Sequence, residues 1–167
     1  YVIAQLIITI IIYLLLRYIP QMEPNKKKLL PFGKILTKIR LLLHLLLSVI
    51  SLSIIYFALE KSVDTTFITL NVMGIFMLLL GNSFYSLPKN YFIGIRVPWT
   101  LADDENWRKT HRFGAWIWVV SSLFFIVLLF LLPIQFRDAL LMSYILCIAI
   151  VPIIYSFTLY YKSQKKA

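Results

Sequence analysis

Long apolar runs alternate with short polar gaps along the whole chain. Five of these runs have the length of about 20 residues that a helix needs to cross the hydrocarbon core of a bilayer. They lie at about 2–19, 41–59, 67–87, 113–132 and 139–161. The pattern predicts an all-α fold, a polytopic membrane helix bundle of about five transmembrane helices. We interpret residues 1–167 as a single integral membrane domain.

The composition supports a membrane protein and argues against a nucleic-acid partner. Apolar residues make up 60% of the chain and charged residues 14%, whereas soluble domains average about 45–50% and about 25%. The formal charge of +10 does not indicate a phosphate-binding face, because the basic residues lie in the gaps between apolar runs. Such a pattern orients helices in a membrane. We therefore expect contacts with membrane lipid and no nucleic acid.

The basic residues are divided unequally between alternate gaps. Fifteen of the 17 lie in or beside the gaps 20–40 and 88–112 and in the C-terminal tail, while the other two gaps hold only Lys61 and Arg137. Under the positive-inside rule, the basic gaps and the C-terminus are cytoplasmic and the N-terminus faces outward. Because the chain starts outside and without Met, we expect one further apolar segment before Tyr1.

Residues 81–113 form a segment with polar residues, aromatic residues and glycine. A helix that only faces lipid would not need such residues. Within this segment, the sequence from Thr100 to Asp103 has the form of a helix-capping box, and acids continue to Glu105. This predicts a short interfacial helix over 101–112 that runs into the fourth span. Two ion pairs at i,i+4 spacing, Asp104 with Arg108 and Glu105 with Lys109, would support it.

The stretch 90–98 is too short to span a membrane and too apolar for a free loop. Gly94 permits a close backbone approach or a positive φ, and Pro98 favours an extended conformation before it. We expect a re-entrant or interface-hugging segment. Its Arg96 requires a partner, which is a lipid phosphate, one of the acids 103–105, or a cluster of carbonyl groups.

Several apolar runs contain residues that predict helix contacts. Gly74 and Gly81 are seven residues apart and share a helix face, which indicates close packing there, and Asn82 is expected to hydrogen-bond to another helix. Pro152 interrupts the last run and is expected to kink it and free the carbonyl of Ile148.

The aromatic and imidazole side chains of the segment suggest structural roles. Trp99 and Trp107 bracket the capped turn and are expected to pack it onto the bundle. His44 and His111 lack the spacing of a helical metal pair, so we predict no metal or cofactor. For His111 we favour a hydrogen bond to a buried carbonyl over titration near neutral pH.

Enzyme and transporter signals are weak. The sequence contains no nucleophile elbow, phosphate loop or HExxH motif. Its apolar runs contain essentially no Asp or Glu, which argues against proton-coupled transport.

Together these residues resemble the signature of the SdpI-type immunity protein family, bacterial multi-span membrane proteins of which some protect the producing cell from a secreted killing peptide. The residues that carry the resemblance are Gly81, Asn82, Asn90, Gly94, Arg96, Pro98, Trp99, Thr100, Trp107, Thr110, His111 and Arg112. Val97 departs from the pattern, which commonly has Thr there, and the family usually has another helix upstream.

The resemblance implies a non-enzymatic immunity protein of the bacterial cytoplasmic membrane. Its expected partners are membrane lipid, a toxin peptide and a cytoplasmic regulatory protein to which it signals. Two alternatives stay open. In a transporter or exporter subunit, Asn82, Arg96 and His111 would line a path. In a membrane enzyme, His111 with Asp103 or Glu105 would form the acid–base set.

Overall fold

The computed structural model describes residues 2–22, 29–59 and 64–165, and in these ranges the chain is helical, without a β-strand. The α-helices are α1 (Val2–Tyr18), α2 (Leu29–Leu59), α3 (Thr65–Phe84), α4 (Pro98–Ala102), α5 (Asp104–Leu131) and α6 (Arg137–Gln164). Short 3-10 turns follow α1 and precede α6. The predicted all-α fold is confirmed.

Four helical segments are long and apolar enough to cross a membrane. They are Phe32–Leu59, Thr65–Phe84, Asp104–Leu131 and Ile134–Gln164. The helix α1 is apolar but has 17 residues, about 25 Å at a rise of 1.5 Å per residue, against a hydrocarbon core of about 30 Å. The chain is thus a multi-pass membrane bundle whose first predicted span is a shorter apolar helix. The basic cluster 26–28 and Lys61 lie outside the described residues.

The helix α2 begins much earlier than the predicted second span, which started at about residue 41. Phe32, Ile35, Leu36 and Ile39 are buried in its first turns, with the i, i+3, i+4, i+7 spacing of an amphipathic helix. Ile35 and Ile39 belong to a core cluster of buried residues that also contains Phe84, Leu87, Trp107 and Ala115. Part of the gap 20–40 is therefore an amphipathic extension of α2 and not a connecting loop.

The helix α5 lies at the centre of the bundle, between α3 and α6. Both α3 glycines face it closely. A Cβ added at Gly74 would lie 2.8 Å from Ile126 Cγ1, and one at Gly81 would lie 2.7 Å from Trp118 Cβ. The predicted close packing at this face is confirmed.

The helix α6 continues through Pro152. Proline has no N–H to donate to the carbonyl four residues earlier. That carbonyl, of Ile148, instead accepts a hydrogen bond of 2.9 Å from the indole Nε1 of Trp118 on α5. The Ile148 carbonyl, which has no helical donor because of Pro152, therefore links α6 to α5.

Candidate functional site

The loop between α3 and α4, residues 85–97 and here called the signature loop, is organised by one amide side chain. Asn90 is 1% exposed. Its Nδ2 donates to the carbonyls of Pro88 (2.9 Å) and Ile93 (3.0 Å), and its Oδ1 accepts from the backbone amides of Phe92 (2.8 Å) and Ile93 (2.7 Å). Because all four groups belong to the loop itself, Asn90 supplies hydrogen bonds that a helix would otherwise provide.

Gly94 allows the signature loop to touch α5. Its φ is +122°, and a Cβ at this position would lie 2.4 Å from His111 Nε2. This imidazole nitrogen accepts from the amide of Ile95 at 3.0 Å, and Nδ1 of the same ring contacts the carbonyl of Trp107 at 2.8 Å. Since an amide only donates and a carbonyl only accepts, the ring is neutral with its proton on Nδ1. The predicted hydrogen bond from His111 to a buried carbonyl is present, and so is the predicted positive φ.

Trp107 ties the beginning of the signature loop to α5. It is 2% exposed, and its indole Nε1 donates to the carbonyl of Leu87 at 3.0 Å. The indole also stacks on the His111 ring, with the ring centroids 4.0 Å apart. Trp107 and His111, one turn apart on α5, therefore hold the loop at both Leu87 and Ile95.

The predicted capping of the interfacial helix is wrong in detail. Pro98 occupies the first position of the five-residue helix α4, which places Thr100 inside that helix. The cap of α5 is Asp103, whose side chain accepts from the amide of Glu105 at 2.9 Å. The residues 104–112 are the first turns of α5 itself, so no separate helix covers 101–112.

Thr100 instead stabilises the end of the signature loop. It is fully buried. Its hydroxyl accepts from the amide of Val97 at 3.2 Å and lies 2.8 Å from the carbonyl of Ile95 and 2.9 Å from that of Val97. This hydroxyl thus bonds to the backbone directly after Gly94.

A second set of buried polar groups joins α4 and α5 to α6. Trp99 Nε1 donates to the hydroxyl of Ser156 at 2.9 Å, and Asn106 Nδ2 donates to the carbonyl of Ser156 at 3.1 Å. Thr110 donates to Asn106 Oδ1 at 2.9 Å. Trp99 and Trp107 both pack the turn onto the bundle, as predicted. The sequence analysis missed Asn106 and Ser156, although Asn106 lies one turn before Thr110 on the same helix face.

Four signature residues, Asn82, Arg96, Pro98 and Arg112, are on the surface. Asn82 and Arg96 are exposed, and neither side chain makes a hydrogen bond or ion pair with another described residue. The bond predicted from Asn82 to another helix is therefore absent in these ranges. For Arg96, an ion pair with the acids 103–105 is absent as well. Arg112 places its guanidinium 5.2 Å from the ring centre of Tyr85.

One of the two predicted helical ion pairs is present. Glu105 pairs with Lys109 at 2.7 Å. Asp104 pairs across the loop with Lys89 at 2.5 Å, not with Arg108. Because Lys89 lies in the signature loop, this ion pair is a further contact between the loop and the start of α5.

A half-open cavity of about 340 Å³ lies beside the signature loop. Its lining residues are Tyr85, Ser86, Leu87, Pro88, Lys89, Asp104, Trp107, Arg108, His111 and Arg112. Asn82 and Arg96, which a transport path would share with His111, do not line it. The acid–base set proposed for an enzyme is not assembled either, because Asp103 caps α5 and Glu105 pairs with Lys109. In the described residues no three His, Cys, Asp or Glu side chains are grouped to hold a metal ion.

Comparison with known proteins identifies relatives over the part of the chain that contains this site. The model of the SdpI/YfhL protein family matches residues 86–156. Immunity protein SdpI of Bacillus subtilis (strain 168) is 35% identical over 86 residues, which are 52% of this chain and 42% of that protein. The chain thus aligns with less than half of this relative. No solved structure shows a significant match. The predicted resemblance is confirmed, since residues 86–156 match the SdpI/YfhL protein family and the chain is similar to one immunity protein.

Proposed function

We propose that the chain is an immunity protein of the bacterial cytoplasmic membrane that gives resistance to a secreted, membrane-active toxin peptide. The observation that carries this proposal is the similarity to Immunity protein SdpI, at 35% identity. The family match over residues 86–156 includes the signature loop from Ser86 onward, α4, α5 and most of α6. The multi-pass helical fold agrees with a task performed in a membrane.

In this proposal the signature holds the bundle together and performs no chemistry. The imidazole of His111, the amide of Asn90 and the hydroxyl of Thr100 are all bonded to backbone groups of the chain. A general base or nucleophile needs a lone pair or proton that can reach a substrate. The buried signature side chains already use these atoms, which supports a non-enzymatic role.

We place the signature loop and the C-terminus in the cytoplasm, on the distribution of basic residues. On the opposite side, α5 ends at Leu131 and α6 starts at Arg137, so that connection is short. A toxin that arrives from outside would then meet helix faces in the bilayer rather than an ectodomain. Asp104→Cys in an otherwise cysteine-free variant should resist an impermeant external reagent and react after permeabilisation. External labelling would overturn this orientation.

We further propose that the cavity beside the signature loop is the contact for a cytoplasmic partner. Its rim carries Lys89, Arg108 and Arg112, and Asp104 is the acid among its lining residues. A partner with an acidic surface fits this charge. Arg108→Glu should weaken such a contact without changing toxin resistance at the membrane, which separates signalling from immunity.

Survival of a sensitive strain tests immunity directly. The full-length gene should raise survival against the cognate toxin peptide. Trp99→Ala should lower it, because the hydroxyl of Ser156 loses a donor and α4 loses its packing on α6. Arg96→Ala should also lower it if the exposed guanidinium anchors the loop to lipid phosphates. Immunoblots of the membrane fraction provide the control for protein amount.

The same assay separates immunity from enzymatic activity. His111→Gln and Asp103→Asn keep hydrogen-bonding side chains and should retain most of the survival. Loss of survival in either variant, at normal membrane levels and with Trp99→Ala unaffected, would overturn the structural role and favour an enzyme.

A further inference from the structure

Two arginines meet in the crevice between α1 and α2, around the ring of Tyr13. Arg17, in the last turn of α1, donates from its guanidinium to the Tyr13 hydroxyl at 3.1 Å. The guanidinium carbon of Arg40, on α2, lies 5.0 Å from the centre of the same ring. Both cations therefore approach one aromatic side chain from neighbouring helices.

No described carboxylate balances this pair of charges. The ion pairs of the described ranges are Lys89 with Asp104, Lys109 with Glu105 and Arg137 with Asp64, all elsewhere in the molecule. Neither the cation–π contact of Arg40 nor the hydrogen bond of Arg17 to the same tyrosine neutralises a guanidinium charge. Among the described residues, nothing compensates the positive charge of the crevice.

A third polar side chain lies one turn along α2. His44 packs edge-on against Tyr13, with ring centroids 5.7 Å apart. Its Nδ1 bonds to the carbonyl of Arg40 at 2.7 Å, while its Nε2 is buried and has no hydrogen-bond partner in the described part of the chain. A buried polar atom without a partner is unusual in a folded protein. A carbonyl only accepts, so Nδ1 carries a proton, and a lone pair on Nε2 would not bond to an anion. His44 therefore packs against Tyr13, and the two arginines are the groups that can bind an anion.

The crevice lies at the edge of the bilayer. The helix α3 has 20 residues, about 30 Å, so its end at Phe84 marks one boundary of the hydrocarbon core. Ile39 shares a packed cluster with Phe84, which puts Arg40 at that boundary. The apolar segment Phe32–Leu59 agrees, since its 28 residues are about 12 Å longer than the core is thick. Lipid phosphates occupy this level.

We propose that the crevice of Arg17 and Arg40 binds the phosphate of an anionic phospholipid. Guanidinium groups form paired hydrogen bonds to phosphate oxygens and remain charged at all physiological pH values. Basic pockets between membrane helices are known to hold anionic headgroups. The inference does not depend on immunity, because it concerns α1 and α2 and not the signature.

Native mass spectrometry of the purified full-length protein, titrated with single lipids, tests the site. Phosphatidylglycerol should bind more tightly than phosphatidylcholine, which carries the same phosphate but no net charge. Arg17→Gln and Arg40→Gln should each weaken phosphatidylglycerol binding about fivefold. Arg17→Lys with Arg40→Lys keeps the charges and should lose less, which would show that the loss in the glutamine variants follows from the removed charge.

The matched control is Lys34→Gln or Lys38→Gln, each made singly, since both lysines are exposed on α2 and each change removes one positive charge, as each arginine change does. An equal loss in this control would show a diffuse charge effect and overturn the site. Equal binding of both lipids would do the same. Displacement by millimolar inorganic phosphate would assign the crevice to free phosphate. Glu23, which lies outside the described residues, is the acid nearest to Arg17 in the sequence. If a preference for phosphatidylglycerol appears only in Glu23→Gln, that carboxylate is the natural partner of the arginines and the proposal fails.

Discussion

Different interactions hold two regions of the molecule. One is the signature loop with the helices that contact it, and the other is the pair formed by α1 and α2. Around the loop, Asn90, Thr100 and His111 are buried and bond to backbone groups. In the pair, Gln5 donates to the carbonyl of Leu47, but the large apolar side chains of α1 are mostly exposed. Lipid is as apolar as leucine, so apolar surface alone does not bring helices together in a membrane. Glycine contacts and buried polar bonds therefore decide the geometry, and they are concentrated around the loop.

The largest difference between the two regions should appear when each loses a glycine. Gly94→Ala puts a Cβ within 2.4 Å of His111 Nε2 at a φ of +122°, and the backbone strain alone costs about 1–3 kcal/mol. We expect most of the folded protein to be lost in thermal unfolding in detergent. Gly33→Ala is the control, because nothing lies within 4 Å of its added Cβ, and it should gain up to about 1 kcal/mol. Equal losses of stability in Gly94→Ala and Gly33→Ala would show that the signature loop is no more sensitive to an added Cβ than α2.

The next largest difference should come from removing one amide from each region. Asn90→Leu leaves two backbone amides and two carbonyls of the loop unpaired, at about 1–3 kcal/mol for each group that stays buried. Gln5→Leu removes a single bond to Leu47, and polar contacts between membrane helices average about 0.6 kcal/mol. Unfolding in SDS–detergent mixtures should rank Asn90→Leu as clearly more damaging. A larger loss for Gln5→Leu would show that the α1–α2 pair is the firmer region.

Much of this contrast was predictable from the sequence. Spans are recognisable because 20 consecutive apolar residues have few alternatives to a membrane helix. Gly94 and the α3 glycines were correctly placed because only glycine permits a positive φ or so close a backbone approach. The partners of buried polar groups were harder to predict. Asn106 and Ser156 bond across 50 residues of sequence, and no local pattern specifies such a pairing.

Two errors have local causes. The first turns of α2 fall in the predicted gap 20–40 because Lys34 and Lys38 interrupt the apolar run, although the apolar positions around these lysines follow a helical period. Thr100 was assigned as a cap because both it and Asp103 can cap a helix. Pro98 favours the first position of a helix, which leaves Thr100 inside α4 and Asp103 as the cap of α5.

A smaller effect is expected at the bond between Trp118 and the carbonyl of Ile148. Trp118→Phe removes the indole donor, which costs about 1–3 kcal/mol if the carbonyl stays buried. Pro152→Ala returns a backbone N–H that can reach the same carbonyl. In the Pro152→Ala background, the cost of Trp118→Phe should therefore fall, and a double-mutant cycle in detergent unfolding measures the difference. Additive effects would show that the indole does not replace the missing helical bond.

The smallest effect should distinguish a cap from a catalyst at Asp103. Asparagine is as good an N-cap as aspartate, so Asp103→Asn should leave stability and survival nearly unchanged, whereas Asp103→Ala loses the bond to the Glu105 amide and about 1 kcal/mol.

Thr100→Ala should cost more than Asp103→Ala. Its hydroxyl is fully buried and bonds to the signature loop, whereas Asp103 is exposed. Thermal unfolding of the three variants gives the order. If Thr100→Ala proves the milder change, the loop does not depend on its buried hydroxyl, and the contrast with the α1–α2 pair rests on Gly94 and Asn90 alone.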